Sequence, residues 1–111
     1  MRRNQKIGKI TNEILYYLLQ EYTNHVKIDI KENDEGFIIK FTLGGCNSRD
    51  LEILKDLIKP NRDEVIEEYG SFLMGEGDDE YDFELLGSMV DFYRVNGNEK
   101  ETIIELGVNY E

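Results

Sequence analysis

The chain has 111 residues and a mass of 13.0 kDa, which is enough for one domain and too little for two. Its 24 acidic residues against 13 basic ones give a formal charge of −11, which repels phosphates and excludes nucleic acid and anionic membrane as main partners. A single cysteine (Cys46), a single histidine (His25) and no long apolar run exclude an intrachain disulfide, a histidine-rich metal site and a membrane span.

Residues 5–22 place Ile7, Ile10, Ile14, Leu18 and Tyr22 three and four apart, with Leu15 and Leu19 widening the stripe, which predicts a helix lying on a core. The basic start at residues 1–4 runs into this amphipathic segment, so it does not read as a secretory signal. Val26, Ile28 and Ile30 then alternate with Lys27, Asp29 and Lys31, the pattern of a half-buried strand. The cluster Asn33-Asp34-Glu35-Gly36 is a turn, after which Phe37, Ile39, Phe41 and Leu43 resume the alternation. A hairpin follows.

Gly44-Gly45 breaks the second strand, and Asn47 with Asp50 three residues on marks a helix start. Leu51, Leu54, Leu57 and Ile58 form its apolar stripe, which Pro60 is expected to stop. Asn61 with Glu64 predicts another start, with Val65, Ile66 and Tyr69 inward until Gly70. Residues 71–80 combine three apolar residues with glycines and acids, and predict a mobile loop. Leu85, Leu86, Met89, Val90 and Tyr93 mark a further helix starting near Tyr81 or Asp82. The end is a second hairpin over about 92–97 and 101–108, turning at Asn96-Gly97-Asn98. The predicted order is αββαααββ. It implies one soluble, cytoplasmic α+β domain over residues 1–111: a two-layer sandwich whose four-stranded, mostly antiparallel sheet carries its helices on one face.

Chemistry-bearing residues are sparse. His25 has the pKa range of a general base, but no partner or orienting group accompanies it, and a histidine at a helix end serves the dipole and last carbonyls. Cys46 precedes a helix start, where a thiol gains acidity; without a second cysteine it reads as a small apolar residue. The acids of residues 76–82 could offer oxygen ligands to Ca²⁺ or Mg²⁺, yet their glycine precedes them and the calcium-loop spacing fails, so no metal site is expected. No phosphate-binding glycine motif is present.

The run from Phe83 to Val95, followed by Thr102-Ile103-Ile104-Glu105-Leu106, resembles the end of the GHKL (histidine-kinase-like) ATPase fold. There, a helix with a Val-Asp step leads to a hairpin finishing in T-x-I-x-L. The opening is similar as well: Asn12-Glu13-Ile14-Leu15 on a helix, Tyr22-Thr23, then the 26–43 hairpin. In size the chain looks most like the small anti-sigma-factor serine kinases of that superfamily. The resemblance implies that any bound ATP would meet Glu13, Tyr17, Gly44, Gly45, Gly75 and Gly77. It also exposes what is missing. The family's Mg²⁺-ligating asparagine falls at Tyr16-Tyr17-Leu18, and its adenine-binding aspartate is absent from Leu43-Gly44-Gly45-Cys46. The phosphate lid would carry Asp78, Asp79, Glu80, Asp82 and Glu84, each repelling a triphosphate by about 1 kcal/mol in a hydrated site.

The expectation is therefore a non-catalytic regulatory domain with no cofactor, engaging a protein partner that has a basic surface. From Asp63 to Asp91 the chain holds eleven acids and no base, interspersed with Phe72, Leu73, Met74, Tyr81 and Phe83. Phe72, Asp78, Asp79 and Tyr81 are the candidate protein-binding residues, charge setting encounter and aromatics supplying affinity. The same acids also read as a solvated face. Two rivals stand beside this expectation: a divergent ATP-dependent serine kinase, and an acidic mimic that occupies a basic nucleic-acid-binding surface. Oligomeric state is not legible at this level.

Overall fold

The computed structural model describes residues 3–65 and 82–110, and within them the chain is an α+β two-layer sandwich. Helix α1 (Arg3–Glu21) is followed by strands β1 (Lys27–Asn33) and β2 (Gly36–Gly44) and by helix α2 (Ser48–Lys55). Helix α3 (Phe83–Met89) leads into β3 (Phe92–Gly97) and β4 (Glu101–Asn109). The sheet order is β1-β2-β4-β3, and each neighbouring pair is antiparallel. Two hairpins are thus joined by their second strands.

The alternation that marks the strands also selects the buried face. Phe37, Ile39, Phe41 and Leu43 of β2 stand opposite Val108, Leu106, Ile104 and Thr102 of β4, and all eight are buried. Ile10, Ile14 and Leu18 of α1, Leu54 of α2, and Leu85, Leu86 and Met89 of α3 close over that face. Burying each large side chain removes about 1.5–3 kcal/mol of exposure cost. Among the described residues the opposite face stays open. A row of alternating charge, Asp29-Lys40-Glu105-Arg94, crosses all four strands there, with Arg94 Nε 3.5 Å from Glu105 Oε1.

Local signals account for the turns and helix starts. Asn33 Oδ1 accepts from the backbone of Glu35 and Gly36, closing the first hairpin. Asn47 caps α2 by accepting from Asp50 N at 2.8 Å, and Asp82 caps α3 by accepting from Leu85 N.

Several expectations need correction. Pro60 does not stop α2; the helix ends at Lys55, and Ile58 is carried past it into the core. The next start uses Asp63, whose side chain accepts from Val65 N, and the chain leading into it is bonded to α3 through Asn61 N to Gly87 O and Asp63 N to Ser88 O. Val65 points outward at 79% exposure, not inward. Glu64 and Val65 are helical, while the rest of that predicted helix and the 71–80 loop lie outside the described residues. Val90 is extended and Tyr93 belongs to β3, so neither extends α3. The second hairpin turns at Asn98-Glu99-Lys100, since Asn98 Oδ1 accepts from Lys100 N and Glu101 N. Finally, β1 lies at the sheet edge, which leaves Ile30 44% exposed.

Candidate functional site

The residues that the sequence singles out on α1 share one side of the helix. Glu13 and Tyr17 are one turn apart and look toward the start of α3. The Tyr17 ring meets Phe83 edge-on with centroids 5.0 Å apart, and meets Tyr22 at 5.7 Å. The Tyr17 and Tyr22 hydroxyls share a 3.3 Å hydrogen bond. Tyr93 stands close by on β3, and its hydroxyl donates to the Leu54 carbonyl of α2. Desolvation first, then neighbouring hydroxyls and carboxylates, push the Tyr17 phenol above its ordinary range; desolvation does the same to Tyr93. Both stay neutral at any physiological pH. They act as packing and hydrogen-bonding groups.

The Glu13 carboxylate has a displaced equilibrium. Partial burial raises its pKa above the usual carboxylate value, the Asp82 carboxylate adds to the rise, and Lys9 works against it. A raised acid pKa means that the folded state bears a charge cost once pH exceeds the unfolded value of 4.5. Glu13→Gln is therefore expected to raise the thermal midpoint at pH 7. The gain should vanish below about pH 4, where both forms are neutral. A scan in which Glu13→Gln gives no gain at pH 7 would remove the repulsive contact from this account.

Beyond Tyr22 the strip opens into a cavity of about 250 Å³ at the C-terminal end of β2. Tyr22, Leu43, Gly44, Gly45, Cys46 and Asp50 line it. Gly45 is needed by close approach: a Cβ there would overlap the Glu99 carbonyl of the second hairpin turn. Cys46 N bonds to Asn98 O, and Cys46 Sγ accepts from Thr102 Oγ1 at 3.3 Å. The thiol is therefore half-buried between two elements, as a small packing residue would be.

The structure thus brings Glu13, Tyr17, Gly44 and Gly45 onto one continuous strip through Tyr22, which the sequence reading did not single out as a site residue. Asp82 and Phe83 also belong to it; Asp82 was legible as a helix start, but its approach to Glu13 depends on how α3 docks. Gly75, Gly77, Phe72, Asp78, Asp79 and Tyr81 lie outside the described residues. The hydrogen bonds at His25 are those of its backbone with Thr23 Oγ1, and the Leu18 carbonyl near the end of α1 accepts from Tyr22 N and Thr23 N. The end of the helix is thus bonded by its own following backbone, in place of the capping role expected for His25. Among the described residues no group of three or more His, Cys, Asp or Glu is placed to hold a metal ion, and no helix is long and apolar enough to cross a membrane. No protein-family model matches the sequence, and neither a curated protein nor a solved structure matches it.

Proposed function

We propose that this chain is a non-catalytic regulatory domain that works by binding a protein partner, on a histidine-kinase-like scaffold that has given up nucleotide chemistry. The observation that supports this most is the environment of Tyr17. Where the resemblance calls for a metal-ligating asparagine, an aromatic ring packs against Phe83 and Tyr22 and bonds to a phenol. Glu13, aligned with a family acid, has the Asp82 carboxylate within electrostatic reach, and two carboxylates on that side repel a triphosphate. The partner's chemistry follows from charge. Eleven acids between Asp63 and Asp91, with no base among them, favour a protein with a basic surface.

Calorimetric titration of the full chain with ATP and with ADP, each with Mg²⁺, tests the first half. No binding heat is expected. Micromolar affinity that disappears in Glu13→Gln would make the chain a divergent nucleotide-binding enzyme instead. For the second half, a partner captured on the immobilised chain is purified and re-bound across a salt series. Its association rate should fall steeply with ionic strength, and a salt-independent rate would sink the charge argument.

A further inference from the structure

Strand β1 is an outer edge of the sheet, and among the described residues its strand partner is β2 alone. It pairs with β2 one to one over seven residues, contains no proline, and carries no bulge. Such an edge presents unpaired N–H and C=O groups to any second strand. Proteins commonly blunt an edge with charge of one sign. Here Lys27 and Lys31 are balanced by Asp29 and Glu32, so β1 is neutral in a chain whose total is −11.

The order of two of those charges, Asp29 and Lys31, is self-complementary. Register with β2 puts Lys27, Asp29 and Lys31 on the open face, and Ile28, Ile30 and Glu32 on the helix face. We propose that two copies of this chain join β1 to β1, antiparallel, across a twofold axis at Ile30. Asp29 of each copy then stands opposite Lys31 of the other, and Ile30 meets Ile30. The alternating row Arg94-Glu105-Lys40-Asp29 gains a fifth member of the correct sign, Lys31 of the second copy. Charge also selects this register. The neighbouring registers that keep both helix layers on one side set Asp29 against Asp29, or Lys31 against Lys31.

On the helix side the same edge carries Ile28, Ile30 and Glu32 and, among the described residues, borders an open groove. Ile30, 44% exposed, borders a groove of about 460 Å³ together with Ile7 and Leu15 of α1. The groove also holds Thr11, whose hydroxyl is the buried side-chain polar atom left without a hydrogen-bond partner among the described residues. A second copy closes this groove from the twofold axis while its backbone satisfies the strand edge. The result is a continuous antiparallel sheet of twice four strands with both helix layers on one side.

Sedimentation equilibrium of the full chain over a concentration series tests this, with circular dichroism as the check on folding. The expected species has twice the 13.0 kDa monomer mass. Asp29→Lys and Lys31→Asp should each weaken self-association by about tenfold or more, because each turns two symmetric attractions into repulsions. The double reversal Asp29→Lys with Lys31→Asp should restore it, and the two single variants, mixed, should pair with each other. In the wild-type chain, amide exchange at residues 28–32 should slow as concentration rises. A monomer at every concentration overturns the proposal. So does a dimer that both single reversals leave intact, or one whose 28–32 exchange does not change with concentration.

Discussion

Replacing Phe41 by alanine is expected to cost about 3–5 kcal/mol, a large part of the roughly 5–15 kcal/mol that holds a domain of this size together. Phe41 is fully buried and stands in the middle of β2, with Ile28 of β1 on one side and Ile104 of β4 on the other. It belongs to the buried cluster that both hairpins and the helices build together, so surrounding side chains cannot all collapse into the space that it leaves. The thermal midpoint should fall by more than about 10 °C. Ile38→Ala, three residues earlier on the open face at 39% exposure, should cost less than about 1 kcal/mol. Urea unfolding of both variants checks the contrast. A loss below about 1 kcal/mol for Phe41→Ala would show that the core is not centred on this strand pair.

That contrast depends on a periodicity legible without a structure. Val26 to Leu43 alternates so regularly that strand identity, turn position and buried face all follow from it. The same holds for α1, where Ile10, Ile14 and Leu18 are the fully buried residues of the expected stripe. Helix boundaries in the middle of the chain were less legible. Pro60 is a strong local stop signal, yet α2 ends five residues before it, and Ile58 reaches the core from beyond the helix end. Asn61 is a good capping residue, yet the cap bond is made by the Asp63 side chain, which accepts from Val65 N. Both departures lie in the 58–63 segment, which packs Ile58 into the core and bonds to α3 through Asn61 N and Asp63 N.

The strip from Glu13 to Gly45 was legible in part for the same reason. Glu13, Tyr17, Gly44 and Gly45 stand out as residue types in the resemblance, but nothing in one dimension says that Tyr22 links them or that Asp82 closes on Glu13. Strand order is equally invisible in composition. That β2 pairs with β4, leaving β1 at an edge, turns a half-buried strand into one with an exposed Ile30 and, among the described residues, one backbone side that no strand pairs. Its functional weight lies there: the charges of β1 make an ordinary surface strand when read singly, and a self-complementary edge once the topology is known.

Two glycine-to-alanine changes should move stability in opposite directions, and for a reason that helix propensity alone does not contain. Gly8 lies inside α1, and apart from its chain neighbours and the helix's own backbone no atom lies within 4 Å of the place where a Cβ would stand. Gly8→Ala should therefore stabilise by up to about 1 kcal/mol, through the lost freedom of the unfolded chain and the better helix former. Gly87 lies inside α3, where the same propensity argument applies, but the Lys59 carbonyl oxygen occupies the space that a Cβ would need. The obstacle is backbone, held in place by the bonds from Asn61 N to Gly87 O at 2.8 Å and from Asp63 N to Ser88 O at 2.9 Å. Neither element can give way without breaking those bonds or lifting Ile58 from the core. Gly87→Ala should therefore destabilise by about 1–3 kcal/mol, against the propensity gain. Thermal melts of both variants, run beside the wild type, read the two signs directly. A Gly87→Ala melt at or above the wild-type midpoint would mean that the 58–63 segment does not lie against α3.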